Sequence, residues 1–404
     1  MTDLAEALRE NYRLHPLFQF DDSPLELDDA IVSSFGERYR ELAPCASTPR
    51  GESRKKAEAD VTAEFNVIID RLCAQTQDQL ELAFLGELRA LAGNLLAGEL
   101  ATFRAQARGA DPGPDAPQAS SSFGAIKTQR FEFGHLDPEV TRKISQVLQS
   151  DLEAIRDRAR AGSVRREDLT FNRKSSIVRA RPLLNQAFRS LGVLDALSEY
   201  EHQRIAVTGF GLELSVSGSD WWQNKLEGLP RAPFTLYAHL DESIGFPKAI
   251  VYLSSVDSQS GPTSCYPGIF DRLNLNPLQE ALGRVVGYVG ASAGSPLFEA
   301  YGKAYHQSVN SELFRRHLMR LPESLRFNSH LGWDVMPGSK LESAFMEAEQ
   351  VLLGEPGTFI VFDGARLFHR GGMVADGDRI ALQTVLSNPN PVRRLVKKAK
   401  GRFL

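Results

Sequence analysis

Two short segments of the sequence carry residue types that can bind one metal ion together. In residues 234–241, a strand would point His239 and Asp241 to the same side, because side chains two positions apart share a face. The second segment, residues 367–372, supplies His369 as a third ligand. Two neutral imidazoles and one carboxylate bind Fe(II) on a single face and leave the other positions open. The residue types and their spacing therefore predict a facial iron site.

An arginine follows the second segment and suits a cosubstrate. Arg379 lies ten residues after His369 (379 − 369), on the next predicted strand. A guanidinium group stays charged and binds carboxylate oxygens in a bidentate way. We therefore expect Arg379 to anchor the distal carboxylate of a 2-oxo diacid that chelates the iron. Gln383 shares the strand face of Arg379, and Tyr252 on a neighbouring strand is a further candidate for cosubstrate contact.

Strands with one apolar face would position these residues. Leu212, Leu214 and Val216 alternate with polar residues, which is typical of a half-buried strand. Further strands are predicted over residues 235–241, 249–256, 358–362, 365–369 and 379–387. The dipeptide Asp363-Gly364 between two of these strands predicts a hairpin turn.

Helical periodicity dominates the N-terminal part and returns further along the chain. Apolar residues at steps of three and four predict a buried stripe on each of two helices, formed by Val61, Phe65, Ile68, Ile69 and Leu72 and by Leu88, Leu91 and Leu95. Asp137-Pro138-Glu139 predicts a helix start, with an N-cap, a proline at the first position and an acid for the helix dipole. Further helices are predicted over residues 182–191, over much of 271–325, and over 341–353.

The order of these elements predicts an α+β fold. Strands grouped in the second half of the chain and interrupted by helices suggest a small antiparallel barrel or jelly roll with helices on its outer face. We expect an N-terminal helical region over residues 1–107 and a proline- and serine-rich linker over 108–122. A jelly-roll domain would cover residues 123–404, with a helical insertion at about 270–355. The insertion is either a lid that orders over substrate or a structural cap or dimer surface.

Together these residues resemble a known family of metalloenzymes. His239-x-Asp241, His369 and Arg379 resemble the site of the iron- and 2-oxoglutarate-dependent dioxygenases, most of all the phytanoyl-CoA dioxygenase-like group. Residues 261–268 are similar to that group's turn-strand-turn with its Pro-Gly. The His-Arg-Gly-Gly string that begins at His369 is similar to that group's distal-ligand segment. The resemblance implies a double-stranded β-helix. It also implies a reaction in which 2-oxoglutarate and O2 give succinate and carbon dioxide while a substrate C–H bond is oxidised.

The resemblance also implies a role for each residue. His239, Asp241 and His369 would bind Fe(II), and Arg379 would bind the C5 carboxylate of 2-oxoglutarate. Related halogenases replace the carboxylate ligand with a small residue, so Asp241 argues against halogenation. Hydroxylation of a small-molecule or carrier-bound metabolite is the expected outcome, although desaturation, ring closure and epimerisation use the same residues.

Some features of the chain depart from the family pattern or imitate it. The 128 residues between Asp241 and His369 (369 − 241) exceed the usual spacing and require the helical insertion. Ala381 stands where some related enzymes have the serine of an Arg-x-Ser motif. A second His-Leu-Asp triplet occurs at residues 135–137, but its context predicts a helix N-cap rather than a metal ligand.

Other interpretations stay open on the sequence alone. His330, in a predicted loop, and His317, in a helical stretch, are alternative third ligands. The arginines around His317 favour a solvated or substrate-facing surface for that residue. A jelly-roll protein could also retain the pocket as a binding module or scaffold without turnover. A third interpretation is a cupin-like metalloenzyme that uses no 2-oxoglutarate.

Composition sets limits on the cellular partners. The 404 residues carry 47 basic and 51 acidic side chains, so the formal charge is 47 − 51 = −4, which argues against nucleic acid as the main partner. Cys45, Cys73 and Cys265 share no metal-binding spacing and predict a reducing compartment. The N-terminus lacks the apolar core of a signal peptide, and no apolar run is long enough for a bilayer. We therefore expect a cytoplasmic protein without a membrane partner, and the oligomeric state stays open.

Overall fold

A computed structural model describes residues 3–42, 52–109, 123–163, 169–171, 174–201, 203–218, 234–235, 237–241, 246–287 and 312–389. These residues combine helices with antiparallel sheets. The helices are α1 (Leu4–Leu14), α2 (Asp29–Leu42), α3 (Glu52–Cys73), α4 (Gln79–Gly109), α5 (Ile126–Gln129), α6 (Pro138–Val147), α7 (Gln149–Arg160), α8 (Lys174–Ser190), α9 (Val193–Tyr200), α10 (Ile269–Arg272), α11 (Pro277–Val286), α12 (Glu312–Arg320) and α13 (Lys340–Ala348). The strands are β1 (Phe131–His135), β2 (Thr170–Phe171), β3 (Ala206–Val216), β4 (Lys248–Tyr252), β5 (Thr263–Tyr266), β6 (Gln350–Leu352), β7 (Thr358–Phe362), β8 (Phe368–Arg370) and β9 (Asp378–Ser387). Within the described ranges, no helix is long and apolar enough to cross a bilayer.

Contacts between residues divide the chain into two compact units. The first unit takes in residues 1–110, 224–242 and 268–349, and the second takes in residues 111–223, 243–267 and 350–404. The domain limits expected from the sequence, at residues 1–107, 108–122 and 123–404, stay a prediction. Of the predicted linker, residues 110–122 lie outside the described part of the chain, and residues 108 and 109 end helix α4.

The first unit is built from helices, and its apolar stripes largely follow the predicted spacing. Every residue of the stripe predicted on α3 is buried. On α4, Leu88 is buried as predicted, but Leu91 and Leu95 are only half-buried. Their neighbours Ala92 and Leu96 are buried instead. The buried face of α4 is shifted because this helix contacts both α3 and α11.

Helices predicted within residues 271–325 are confirmed where the structure describes them. Asn276 caps α11 by accepting a hydrogen bond from the first turn, Pro277 occupies the first helical position, and Gln279 completes a capping box. Helix α12 follows, and residues 288–311 lie outside the described part of the chain.

The helix predicted over residues 341–353 is wrong in its last part. Helix α13 ends at Ala348, and Gln350–Leu352 form strand β6. Strand β6 pairs antiparallel with β5, so its backbone groups find partners in another strand. Pairing with a distant segment therefore overrides the local helical periodicity at these residues.

The second unit contains two antiparallel sheets. The larger sheet has the strand order β1-β7-β4-β9-β3-β2, and the smaller sheet has the order β6-β5-β8. The long pair β3 and β9 contains one irregularity, between Val207 and Gly209. Helices α6 and α8 share a core with the larger sheet, to which Ile144 and Phe188 contribute. The ring of Phe188 lies 5.2 Å from that of Phe359 on β7.

Most strands predicted in the second half of the sequence are confirmed. Strand β7 has the predicted limits, and β9 begins one residue early, at Asp378. The alternating residues from Leu212 to Val216 lie on β3. The strand predicted over residues 249–256 is confirmed only as far as Tyr252, where β4 ends.

The hairpin predicted at Asp363-Gly364 is wrong. A turn forms there, but β7 pairs with β1 and β4, whereas β8 pairs with β5 in the smaller sheet. The Asp363 carboxylate accepts hydrogen bonds from the Ala365 N–H at 3.1 Å and from the Tyr200 hydroxyl at 2.6 Å. These bonds stabilise a turn that directs the chain into the second sheet, so β8 begins at Phe368 rather than at residue 365.

Two prolines play different roles in their helices. Asp137 caps α6 and Pro138 is its first residue, so the predicted helix start is confirmed at the second His-Leu-Asp triplet. The start predicted at Pro182 is wrong, because α8 begins at Lys174 and contains Pro182 within it. A proline inside a helix leaves the carbonyl four residues earlier without its N–H partner. Here that residue is Val178, which is 59% exposed and lies on the solvent side of the helix.

Candidate metal centre

The segment that contains His239 and Asp241 does not form the strand predicted over residues 235–241. Its described residues form turns and a single bridge at His239 in place of regular pairing. Tyr237 has a φ of 71°, which an extended strand does not allow. The predicted strand is therefore wrong, and strand periodicity cannot be what orients the two ligands.

Hydrogen bonds to a distant loop fix this segment instead. The Leu240 N–H donates to the Ser329 carbonyl at 2.8 Å, and the Gly332 N–H donates to the Ala238 carbonyl at 2.9 Å. The loop approaches so closely that a Cβ on Gly332 would lie 2.1 Å from the Thr235 carbonyl oxygen. A glycine is therefore required at this point of the loop.

Aromatic contacts from the same loop, residues 328–336 (the support loop), add to these hydrogen bonds. The His330 ring stacks on the His239 ring, with centroids 5.1 Å apart and planes at 14°. Trp333 packs edge-on against Tyr237 at 5.0 Å. The support loop thus contacts both the backbone and the side chains of the ligand segment.

Asp241 is fixed through its backbone by a buried arginine. Arg284 on α11 is 1% exposed, and its Nη1 donates to the Asp241 carbonyl at 2.9 Å. The same guanidinium pairs with Glu280 one helical turn earlier. Asp241 itself is 7% exposed. Its main chain is therefore positioned without use of the carboxylate, which stays suited to metal binding.

His369 lies on a regular strand, as predicted. Its backbone pairs with Cys265, so β5 fixes its position in the smaller sheet. Its ring packs against Phe362, with the ring centroids 4.7 Å apart. The histidine is 6% exposed.

Both predicted histidine ligands use one ring nitrogen in the same way. Nδ1 of His239 lies 2.7 Å from the Tyr237 carbonyl oxygen, and Nδ1 of His369 lies 3.0 Å from the Leu367 carbonyl oxygen. Because a carbonyl oxygen can only accept, Nδ1 must carry the proton in each ring. In the neutral ring Nε2 is then the nitrogen that could accept a metal ion, and the backbone fixes the orientation of the ring.

The three predicted ligands form one cluster. His239, Asp241 and His369 each offer a ligand atom, and these atoms lie within 4.8 Å of one another. Two ligand atoms on one face of an ion, each bonded at about 2.1 Å, lie roughly 3 Å apart, so the three side chains would close in by up to about 2 Å to bind one ion. Among the described residues, these three form the one group of at least three His, Cys, Asp or Glu side chains that is close enough to bind a metal ion.

The alternative third ligands, His330 and His317, are not members of this cluster. His330 stacks on His239 as described, and its Nδ1 lies 3.2 Å from the Ser329 hydroxyl. His317 is 3% exposed and stacks on Phe84, with ring centroids 5.5 Å apart. Burial lowers the pKa of His317. The solvated or substrate-facing surface predicted for His317 is therefore wrong.

Arg379 on β9 is buried, and its guanidinium lies close to the Gly261 carbonyl and to two polar side chains of β3. Its Nη1 donates to the Gly261 carbonyl at 2.6 Å, and its Nη2 donates to the Ser215 hydroxyl at 3.0 Å. A carboxylate oxygen of Glu213 lies 3.8 Å from the guanidinium, and both side chains are about 5% exposed. Sequence reasoning missed Glu213 and Ser215, although both are polar positions in the alternation of β3 that predicted the strand.

The two other predicted cosubstrate residues already have protein partners. Gln383 Nε2 donates to Glu213 at 2.8 Å. The Tyr252 hydroxyl donates to the Leu352 carbonyl at 3.1 Å and accepts from the Thr263 N–H at 2.8 Å. Tyr252 thus links the larger sheet to β5 and β6 of the smaller one. Contact of either residue with a cosubstrate stays a prediction.

Comparison with known proteins gives structural neighbours only. No family model matches the chain, and no curated protein matches it. Similar solved structures include EctD from S. alaskensis with 2-oxoglutarate and 5-hydroxyectoine, at 12% identity, over 68% of this chain and 78% of that one, with a TM-score of 0.36. HygX from Streptomyces hygroscopicus with nickel and 2-oxoglutarate bound matches at 13% identity, over 65% of this chain and 85% of that one, with a TM-score of 0.32. AviO1 from Streptomyces viridochromogenes Tue57 matches at 10% identity, over 65% and 92%, with a TM-score of 0.33.

The EctD structure contains 2-oxoglutarate, and the HygX structure contains 2-oxoglutarate and nickel. Their identities and TM-scores are low, so no substrate or reaction is transferred from them to this chain.

Proposed function

We propose that the chain is an Fe(II)- and 2-oxoglutarate-dependent oxygenase with a double-stranded β-helix core. The observation that carries the proposal is the cluster of His239, Asp241 and His369, whose ligand atoms lie within 4.8 Å of one another. Two imidazoles and one carboxylate are the donor set of non-haem iron oxygenases, and three protein ligands leave positions for substrate-derived ligands. The two antiparallel sheets of the second unit support the proposed core.

Each side chain of the site would have a defined task. The backbone carbonyls that accept from Nδ1 of His239 and His369 orient both rings, so that Nε2 faces the ion. Asp241 would supply the anionic ligand. Arg379 would bind the distal carboxylate of 2-oxoglutarate, because its guanidinium is buried and its charge is retained. Bound iron, with 2-oxoglutarate and O2, would supply the oxidising chemistry.

The substrate class follows from the same proposal. We propose a small-molecule or carrier-bound metabolite, with hydroxylation of a C–H bond as the reaction and succinate and carbon dioxide as coproducts. The retained carboxylate of Asp241 is consistent with hydroxylation, since it would bind the metal where a halogenase would need room for a halide.

One observation favours a second candidate function. The guanidinium of Arg379 already has the Glu213 carboxylate 3.8 Å away and donates to two further oxygens. An arginine whose Nη1 and Nη2 already donate to protein oxygens is what a cupin-like metalloenzyme without 2-oxoglutarate would show. Oxygen uptake that does not respond to 2-oxoglutarate would favour this candidate over the first.

The proposed function is tested by removing the carboxylate ligand. We expect full-length protein purified without oxygen to bind one Fe(II) and to form succinate from 2-oxoglutarate when its substrate is present. We expect Asp241→Ala to abolish both, because two imidazoles alone bind iron weakly. Iron analysis and a screen of candidate metabolites for stimulated 2-oxoglutarate decarboxylation are the measurements.

The second His-Leu-Asp triplet provides the matched control. Asp137→Ala makes the same change in the same local sequence, but it removes only the cap of α6 and is expected to cost about 1 kcal/mol of stability. It should leave iron content and turnover unchanged. Equal iron content in the parent protein and in Asp241→Ala would show that the assignment of the metal centre is wrong.

A further inference from the structure

Helix α1 contacts the support loop through two consecutive residues. Asn11 Nδ2 donates to the Asp334 carbonyl at 2.6 Å, and Asn11 Oδ1 accepts from the Met336 N–H at 2.7 Å. The Tyr12 hydroxyl donates to the Asp334 carboxylate at 3.0 Å. More than three hundred residues separate these partners in the sequence, so the contact is purely tertiary.

The centre of this contact is a carboxylate without access to water. Asp334 is 0% exposed, and its Oδ2 also accepts from Asn328 Nδ2 at 3.1 Å. The pKa of Asp334 is raised to about 6 because burial outweighs three effects that lower it, namely the charge of Arg315 and the hydrogen bonds from Asn328 and Tyr12. Because a buried carboxylate is costly when it loses a donor, the backbone around Asp334 depends on the hydroxyl of Tyr12.

The opposite side of the support loop contacts the ligand segment. Ser329 and Gly332 form backbone hydrogen bonds with Leu240 and Ala238, the residues on either side of His239. The loop is short, and Asp334 lies only two positions after Gly332. A shift of the backbone at Asp334 therefore reaches the neighbours of the first metal ligand through one tight turn.

We propose that α1 is a positioning element of the metal centre, in which Asn11 and Tyr12 fix the support loop through Asp334 and the loop fixes His239 and Asp241. This inference rests on the proposed function, because it gives the N-terminal helix a task in metal binding. Residues outside the ligand set that orient ligands typically change metal affinity by about 10- to 100-fold when they are replaced.

The test removes the hydroxyl of Tyr12 and measures metal affinity rather than turnover. Tyr12→Phe retains the ring that packs edge-on against Phe18 at 5.2 Å, but it loses the hydrogen bond to Asp334. Co(II) binding to the metal-free full-length protein is followed by its visible absorption. We expect roughly tenfold weaker Co(II) binding by Tyr12→Phe. Asn11→Ala removes the other two hydrogen bonds and is expected to act in the same direction, so it decides the question if Tyr12→Phe does not fold.

A variant of similar cost elsewhere separates positioning from general stability. Asn185→Ala acts within the second unit, where it removes two hydrogen bonds to the backbone of Val207, at 3.1 and 2.9 Å, and one to the Arg181 carbonyl at 3.1 Å. We expect its melting temperature to fall with no change in Co(II) affinity. The inference is overturned if the α1 variants lower the melting temperature but bind Co(II) within about twofold of the parent protein, which is the behaviour expected of Asn185→Ala. Failure of the parent protein itself to bind Co(II) would instead contradict the proposed function.

Discussion

The two halves of the proposed metal centre are built by different means. His369 and Arg379 lie on regular strands, where pairing with neighbouring strands fixes their backbones. His239 and Asp241 lie in an irregular segment with a positive φ at Tyr237, and the support loop fixes its backbone. The first kind of support is shared among many ladder hydrogen bonds. The second kind depends on a few contacts, each made by a particular residue.

This difference has a consequence for mutational sensitivity. A strand residue retains its position when one neighbour changes, because the rest of the ladder stays in place. In the irregular segment, Arg284 and the support loop, which includes Gly332, supply the backbone contacts described above. We therefore expect the His239–Asp241 half to be the more fragile of the two.

The largest effect is expected at Gly332. In Gly332→Ala the new methyl group would lie 2.1 Å from the Thr235 carbonyl oxygen and 2.5 Å from the Ala238 nitrogen, so the backbone must move. Both ligands of this half follow that backbone. We expect Co(II) affinity to fall roughly 100-fold and stability to fall by about 1–3 kcal/mol, measured by Co(II) titration and denaturant unfolding.

Gly86→Ala is the control for this change. Gly86 lies in helix α4, and a Cβ there meets nothing within 4 Å. The substitution should increase stability by up to about 1 kcal/mol through helix propensity and leave Co(II) affinity unchanged. Similar Co(II) affinities for Gly332→Ala and Gly86→Ala would contradict the idea that the support loop positions the ligands.

The same contrast explains which parts of the fold and of the site were predictable from the sequence. Strand β7 and the Asp137 cap depend on short-range patterns, and both are confirmed at the predicted residues. The cluster of His239, Asp241 and His369 was predicted from residue types and spacing, and the structure brings these three together.

The local structure of the ligand segment was not predictable by the same reasoning. Its alternation suggested a strand, but its hydrogen bonds run to Ser329 and Gly332, about ninety residues away in sequence. Nothing in the segment's own sequence specifies such partners. The same limit applies at Asp363-Gly364. The turn was recognisable from the sequence, but pairing with β5 decides which sheet the next strand, β8, joins.

A smaller effect is expected in the strand-borne half, at Arg379. Loss of a charge-assisted bidentate interaction of about 2 kcal/mol corresponds to a roughly 30-fold higher requirement for 2-oxoglutarate in Arg379→Ala. Because Arg379 is proposed to contact cosubstrate and not metal, Co(II) affinity should not change. The measurement is the 2-oxoglutarate dependence of succinate formation, together with Co(II) titration.

The neighbouring carboxylate has to be controlled in this experiment. Removing Arg379 leaves Glu213 buried without its cation, which can destabilise a protein by about 3–5 kcal/mol. The substitution is therefore also made in a Glu213→Gln background, where no unpaired charge results and Gln383 can still donate to the remaining oxygen. An unchanged 2-oxoglutarate requirement in both backgrounds would favour the cosubstrate-independent function.

The smallest effect on the metal centre is expected at Glu201, a buried residue at the end of α9. Burial, and after it the nearby Asp363 carboxylate, raises the pKa of Glu201 from 4.5 to about 7. Between these values the folded protein binds a proton that the unfolded chain releases, so stability falls as the pH rises from about 4.5 to about 7. At about 1.4 kcal/mol per pKa unit, the loss over this shift is on the order of 3 kcal/mol.

Glu201→Gln removes this titration, so we expect it to gain stability relative to the parent protein as the pH rises from 5 to 8, with little difference between them near pH 4.5. Urea unfolding at a series of pH values measures this change. Subtracting the two proteins removes other titrations, including that of His15, whose pKa burial lowers to about 4. Co(II) affinity should be the same in both proteins, because the strands that carry His369 do not depend on one buried side chain. A loss of Co(II) affinity in Glu201→Gln as large as that in Gly332→Ala would show that the two halves of the site are equally fragile.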